Sequence, residues 1–245
     1  MKRLFDTVAS TIGLLLCFPV FLVAGTLIWL QDFCSPLYVA TRIGLKGKPF
    51  QMLKLRSMVV NADRIGVDST SANDPRITRV GHFIRRYKLD ELSQLWNVLK
   101  GEMSLVGPRP NVRREVNLYT STEMKLLSVK PGITDISSIV FSDLGEILRN
   151  HSDPDIAYNQ LVRPWKSRFS LIYIENQSFI LDIKLILITV MSIFSRRLAL
   201  REVTKILVNL QVDRQLIQIA SRQTELYPFP PPGATEIVIS REHVY

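Results

Sequence analysis

The sequence predicts an α/β fold in which a single compact domain is associated with a membrane. Three observations support this prediction. An apolar run from Val8 to Leu30 is long enough to cross a bilayer. The rest of the 245-residue chain contains short β-branched segments as well as segments of helical period. The net charge of +9 indicates an anionic partner: acidic lipid, nucleic acid or a phosphate-rich substrate.

The charges that flank the apolar run predict how it sits in the membrane. Lys2 and Arg3 precede the run, and several basic residues between Arg42 and Arg56 follow it. Because basic flanks favour the cytoplasmic side, both ends are expected there. Pro19 lies in the middle of the run, where it removes a backbone donor and kinks a helix. We therefore predict a kinked, re-entrant membrane hairpin over residues 1–35, with a helix break at Pro19; a plain spanning anchor is the alternative.

The next segments are expected to begin the main domain, residues 36–200. Leu37–Arg42 and Phe50–Arg56 have strand character and are separated by glycine and proline, so they predict a hairpin whose basic residues face lipid head groups. Asn73–Arg76 has the composition of a turn. Val80–Tyr87 is expected to be a short helix.

The stretch from Leu89 to Pro110 carries the candidate chemistry. Leu89–Lys100 has helical spacing, and Asp90 and Glu91 fall in its first turn, where the helix dipole favours ionised carboxylates. Adjacent helical residues point about 100° apart, so one carboxylate could attack while the other binds a metal or moves a proton. Acidic residues are also common at helix starts for structural reasons alone.

Two arginines are candidates for binding phosphate. Arg109 lies between Pro108 and Pro110, which hold the chain extended and present the guanidinium. Arg85 lies five residues before Asp90, so a bend at Lys88 is needed for the two to converge.

The remaining chain is expected to be mostly helical. One further strand is predicted, together with an amphipathic helix that lies on the membrane interface or against the first hairpin. Residues 201–245 are expected to form a C-terminal helix and Pro-rich appendage of unassigned role. The predicted elements are helices at Val112–Val129, Leu144–Arg149, Asp155–Phe169 and Phe179–Phe194, and a strand at Ile133–Phe141.

Several motifs in one order closely resemble a known family, the bacterial sugar transferases, which are monotopic polyprenyl-phosphate phosphoglycosyl transferases. The resemblance runs from Lys2 to about Arg197. It rests on KRLFD, Pro19, GKPFQMLKLRSM, NDPRITRVGHFIRR, LDELSQLWNVLKGEMSLVGPRP, PGIT and LDIKLILIT.

The resemblance implies an enzyme that transfers a phospho-sugar from a UDP-sugar to polyprenyl (undecaprenyl) phosphate and releases UMP. This would be the first membrane step of a bacterial surface glycan, such as exopolysaccharide or lipopolysaccharide, on the cytoplasmic face of the inner membrane. It implies Asp90 as the nucleophile that carries a covalent phospho-sugar, and Glu91 as metal ligand or proton acceptor. Asp90 and Glu91 are then the candidate ligands of Mg²⁺, and Arg85 and Arg109 bind phosphate.

The residues after PGIT depart from the family pattern. Many members carry a Gly-Trp-Ala-Gln-Val-Asn-Gly-Arg-like run there, whereas this chain has Asp135–Ile139. The resemblance therefore does not identify the sugar, and the sequence does not indicate an oligomeric state.

The alternative to an enzyme is a non-catalytic basic membrane adaptor that binds acidic lipid or a partner protein. It explains the charge and the apolar run but gives the acidic pair no role. Nucleic acid is not expected as a partner, because aromatic residues are not interleaved with the basic ones as stacking would require.

Overall fold

The structure, a computed structural model, describes residues 1–62, 70–71 and 74–240. It is a mixed helix and strand domain that begins with a long apolar helix. The helices are α1 (Lys2–Asp32), α2 (Arg79–Arg86), α3 (Leu89–Leu92), α4 (Leu95–Lys100), α5 (Arg113–Val116), α6 (Ile136–Val140), α7 (Leu144–Ile147), α8 (Pro154–Ala157), α9 (Arg163–Glu175), α10 (Phe179–Phe194), α11 (Arg196–Asn209) and α12 (Arg214–Ser221). The strands are β1 (Leu37–Ile43), β2 (Pro49–Leu55), β3 (Ser104–Val106) and β4 (Gly132–Thr134). Short 3₁₀ turns cover Leu45–Gly47 and Glu123–Ser128, and a π-helical turn covers Tyr158–Val162.

Two small sheets carry the strands. The predicted hairpin is confirmed: β1 and β2 pair antiparallel, from Leu37 opposite Leu55 to Ile43 opposite Pro49. The second sheet is a parallel pair of β3 and β4. A Cβ added to Gly132 would lie 2.1 Å from the Gly107 nitrogen, so this close approach after β3 requires glycine. The approach fixes the start of the Gly107–Pro110 loop.

Leu89–Lys100 is not one helix, as the periodicity predicts, but the pair α3 and α4. The break falls at Ser93, whose hydroxyl donates to the carbonyls of Leu53 and Asp90, both at 3.1 Å. Just beyond it, Asn97 accepts a hydrogen bond from the Leu53 N–H at 2.9 Å. Contacts with β2 therefore divide the segment, and Gly101, with φ of 86°, ends α4 as expected.

The predicted helix at Val112–Val129 is wrong except for α5. Thr120 and Glu123 bond reciprocally: the backbone N–H of each donates to the side chain of the other at 3.1 Å. This capping arrangement ends one turn and starts the next, so no continuous helix forms.

The predicted strand at Ile133–Phe141 is also largely wrong. Only β4 is extended, because the Asp135 side chain accepts a hydrogen bond from the Ser138 N–H at 2.7 Å and begins α6. A carboxylate in this position is a strong helix N-cap, and it outweighs the β-branched composition of the segment. The Asn73 part of the predicted turn lies outside the described residues; in the described part, Arg76 N–H donates to Asp74 at 3.0 Å.

Helix α1 is the one described helix that is long and apolar enough to cross a membrane. It is continuous through Pro19, so the predicted helix break is not present there, and the re-entrant hairpin stays a prediction. Both of its ends contact the same domain: Lys2 pairs with Asp182 at 2.5 Å, and Asp32 pairs with Arg56 at 2.5 Å.

The largest part of the core lies under the C-terminal helices. Trp165, Phe169 and Tyr173 of α9 are fully buried among residues of α6, α10, α11 and α12. The Phe179–Phe194 helix is confirmed as α10, which buries one apolar face and exposes another. The expected domain boundary at residue 200 falls inside α11. Beyond α12, Phe229 stacks on Trp165 with 4.5 Å between ring centroids, so residues after 200 pack on the same core.

Candidate active site

An open cavity of about 800 Å³ lies between the β1–β2 hairpin, α2, α3, the loop at 107–112, the 137–149 segment and α9. All four predicted site residues, Asp90, Glu91, Arg85 and Arg109, line it. Residues that are far apart in the chain therefore meet around one space. Pro19 lies in α1 and does not line this cavity.

A backbone bend brings Asp90 towards Arg85. Helix α2 ends at Arg86, and Lys88 takes a left-handed conformation, with φ of 54°, immediately before α3. This is the bend that the spacing of Arg85 and Asp90 predicts. The Asp74 and Asp90 carboxylates lie close enough to Arg85 to oppose the lowering of its pKa by burial.

Asp90 is buried, with only 8% of its surface exposed. Its nearest cation is the Lys54 ammonium, 3.7 Å from Oδ2. Burial raises the pKa of Asp90, and Lys54, Arg109 and Arg85 offset only part of that rise. Helix α3 is a single short turn, and burial opposes the ionised form that a helix start is expected to favour.

Glu91 has the opposite environment. Its Oε1 accepts a short hydrogen bond from Arg109, which Pro108 and Pro110 hold in an extended loop. Burial acts to raise the pKa of Glu91, but Arg109, Lys54 and Lys88 outweigh it and lower that pKa to about 2. The pKa values of the two neighbouring carboxyl groups are thus shifted in opposite directions. Asp90 titrates above its ordinary range, and Glu91 stays ionised throughout the physiological range.

Sequence reasoning missed several cationic residues of the cavity. The hairpin residues Arg42 and Lys54 line the cavity, instead of facing lipid head groups as expected. Lys54 follows Met52 by two residues on β2, and both line the cavity, so the period of the strand could have indicated this.

Lys166 of α9 had no signal in the sequence. Its Nζ lies 3.5 Å from the Tyr158 hydroxyl, and no carboxylate of the described residues lies within ion-pair distance of it. Burial, followed by the charge of Arg109, lowers the pKa of Lys166 to about 8.

The described residues contain no cluster of three or more His, Cys, Asp or Glu side chains that could hold a metal by themselves. Asp90 and Glu91 nevertheless suit Mg²⁺, which proteins bind through one or two carboxylates together with substrate phosphates. The many basic residues around the pair suit the phosphates that would complete such a site.

The bacterial sugar transferase family model matches residues 1–196. The exopolysaccharide production protein ExoY of Rhizobium meliloti is 36% identical over 204 residues, which cover 77% of this chain and 83% of ExoY. The UDP-galactose-lipid carrier transferase of Erwinia amylovora is 40% identical over 151 residues, 56% of this chain and 31% of that protein. The UDP-glucose:undecaprenyl-phosphate glucose-1-phosphate transferase of Caulobacter vibrioides is 36% identical over 172 residues, 67% of this chain and 64% of that protein. The chain thus spans a third to two thirds of the latter two relatives.

Proposed function

The chain belongs to the bacterial sugar transferase family, and from this premise we propose that it transfers a phospho-sugar from a UDP-sugar to undecaprenyl phosphate and releases UMP. Relatives that match this chain are named for galactose and glucose donors and for exopolysaccharide production. A step in the assembly of a bacterial surface polysaccharide follows from those names. The sugar itself stays open, because relatives with different sugars match comparably well.

The proposal rests on the different environments of the Asp90 and Glu91 carboxylates. Asp90 has no hydrogen bond to its carboxylate among the described residues and faces a cavity rich in cations, whereas Glu91 is fixed by Arg109. A buried carboxylate that has lost its hydration is a stronger nucleophile than a solvated one. We assign the attack to Asp90 for this reason.

The reaction then has two displacements at one phosphorus atom. An Asp90 carboxylate oxygen attacks the phosphorus that bears the sugar, and the bond from that phosphorus to the bridging oxygen breaks, so UMP leaves with the electron pair. An oxygen of undecaprenyl phosphate next attacks the same phosphorus, and the Asp90 carboxylate leaves. Arg109, Arg85 and Lys54 line the cavity where they would offset the negative charge that gathers in both steps.

Glu91 is a poor proton acceptor, because a carboxylate whose pKa lies near 2 holds a proton weakly. We therefore assign it to orient Arg109 and, with Asp90, to hold Mg²⁺. Mg²⁺ bound there would neutralise diphosphate charge and favour the departure of UMP.

The membrane arrangement supports access for a lipid-linked acceptor. Helix α1 exposes a long apolar face, while Ala24 and Ile28 pack on Leu55 of β2 and Ile84 of α2. Because both ends of α1 contact one domain, we propose that α1 bends at Pro19 and enters and leaves the bilayer on the cytoplasmic face, with Pro19 at its deepest point. Cys34 is exposed just after α1. In a Cys17→Ser protein, a membrane-impermeant maleimide applied from the periplasm should leave Cys34 unlabelled; labelling would favour a spanning anchor.

The activity is tested with purified protein, undecaprenyl phosphate, Mg²⁺ and a panel of UDP-sugars, with UMP release as the readout. We expect one or a few donors to release UMP, and Asp90→Asn to abolish both UMP release and the covalent phospho-sugar adduct detected by intact mass spectrometry. Full activity of Asp90→Asn would exclude Asp90 as nucleophile. Membrane binding without release of UMP from any donor would favour the adaptor alternative.

A further inference from the structure

Two arginines from the C-terminal helices hold the turn at residues 140–143, part of the 137–149 cavity wall. Arg196, the first residue of α11, pairs with Asp143 at 2.9 Å and donates to the Ser142 hydroxyl at 3.2 Å and to the Val140 carbonyl at 3.3 Å. Arg222, at the end of α12, pairs with the other Asp143 oxygen at 3.1 Å. Asp143 is therefore held from both sides.

Arg222 also lies over the ring of Phe141, with 5.7 Å from its Cζ to the ring centroid. Phe141, Ser142 and Asp143 all line the cavity. The two arginines thus contact every residue of the cavity wall at 141–143, while α11 and α12 pack into the core behind it. Pairing and packing of this kind restrict how far a loop can move.

The backbone of Arg222 indicates that its side chain is needed. Its φ of 54° is left-handed, a conformation that usually selects glycine at a helix end. In addition, its Nε and Nη1 are buried and have no hydrogen-bond acceptor among the described residues. An arginine here carries both costs, which its contacts with Asp143 and Phe141 offset.

The position of the wall indicates which substrate it serves. The apolar helix α1 packs against α2, α4 and β3, so a lipid-linked acceptor would approach from that side. The 140–143 turn is instead held by α11 and α12. Arg222 lies beyond residue 196, where the family match ends. Arg222 is thus supplied by the part of the chain that the family model does not cover, whereas Arg196 is the last residue that the model matches.

We propose that Arg222 is a positioning residue that, together with Arg196, sets the shape of the cavity wall at 141–143 and thereby the affinity for the UDP-sugar donor. This inference rests on the proposed function. It assigns to the C-terminal helices a role in donor binding, without contact between Arg222 and the reacting atoms.

The test compares Arg222→Gly, Arg222→Lys and Arg214→Met with the full-length wild type. Glycine removes the side chain and relieves the left-handed backbone, so loss of folding is not expected from the backbone. Lysine keeps a charge that can reach Asp143. Arg214 is exposed at the start of the same helix and serves as the matched control. Thermal unfolding of each variant in detergent establishes that it is folded.

For Arg222→Gly we expect the donor KM to rise about tenfold, while kcat and the KM for undecaprenyl phosphate stay within about twofold of wild type, because a displaced wall weakens binding instead of chemistry. Arg222→Lys should recover part of the donor affinity, and Arg214→Met should match wild type. A wild-type enzyme that turns over a UDP-sugar while Arg222→Gly keeps the same donor KM would overturn this inference alone. A fall in kcat, a comparable rise in both KM values and a lowered melting temperature would also overturn the inference, because such a result would indicate that Arg222 is merely a structural residue. A wild type that releases no UMP from any donor would overturn the proposed function and this inference with it.

Discussion

Replacing Arg109 by methionine tests the electrostatic account of the acidic pair most directly. The ordinary pKa of a glutamate, 4.5, falls to about 2 for Glu91, and Arg109 is the largest favourable contribution. A change of this size corresponds to about 3 kcal/mol of stabilisation of the ionised carboxylate in the folded state. Lys54 and Lys88 share in the lowering while burial opposes it, so Arg109→Met should lower the free energy of unfolding at pH 7 by an amount of this order.

The lowered pKa of Glu91 determines how the effect of Arg109→Met on stability should change with pH. A carboxyl group whose pKa is depressed by folding contributes stability that is fully present above its unfolded pKa, here about 4.5, and that is lost as the pH falls towards 2. The gap in stability between wild type and Arg109→Met should therefore be largest at neutral pH and narrow between pH 4.5 and 2. Chemical unfolding in detergent micelles, followed by tryptophan fluorescence at a series of pH values, measures it.

A matched control comes from the same cavity. Arg149 pairs with Glu146 at 2.6 Å, but both side chains are exposed, so Arg149→Met should change the stability by less than about 1 kcal/mol. If the two variants were equally stable, or if the gap for Arg109→Met did not narrow in acid, Arg109 would not be the group that keeps Glu91 ionised.

Three further predictions concern single cations. Lys54→Met removes the ammonium 3.7 Å from Asp90, so the Asp90 pKa should rise further and the acid limb of the kcat profile should move to higher pH. An acid limb at the same pH would show that Lys54 does not affect the titration of the nucleophile. Lys166 has a pKa of about 8, so donor kcat/KM should decline as the pH rises through 8 and Lys166→Met should lack that decline; a decline of the same size in the variant would assign it to another group. Arg163→Met leaves the fully buried Glu123 carboxylate without the cation that lies 2.5 Å from it, and should therefore destabilise the protein by about 3–5 kcal/mol. A change in the free energy of unfolding below about 1 kcal/mol, measured by chemical denaturation, would contradict this prediction.

Local patterns predicted those elements whose stability is local or whose apolar period is long. The β1–β2 hairpin follows from two strand-like runs around glycine and proline, and α10 follows from a long apolar helical period. The helix at 89–100 failed because Ser93 and Asn97 bond to β2, which is forty residues away in the chain. The strand at 133–141 failed because one capping aspartate outweighs several β-branched residues.

Some residues of the candidate site were likewise predicted from the sequence, and others were not. The order of the motifs, the acidic pair and the two arginines were all available from the sequence, and the structure brings these residues into one cavity. Lys54 and Lys166 were not identified, because their relevance comes from the packing of β2 on α3 and from the position of α9 in the wall of the same cavity. The role of Arg222 could not be seen either, since it depends on the packing of α12 behind the 140–143 turn.

The sequence by itself determined the apolar helix, the hairpin, the family and the identity of the two adjacent carboxylates. Only the tertiary structure decided how those carboxylates differ. Their intrinsic pKa values are nearly equal, and their separation comes from burial of Asp90 and from the Arg109 contact to Glu91. Burial and charge at a site depend on segments that meet only in the folded chain, and no local pattern records which segments those are.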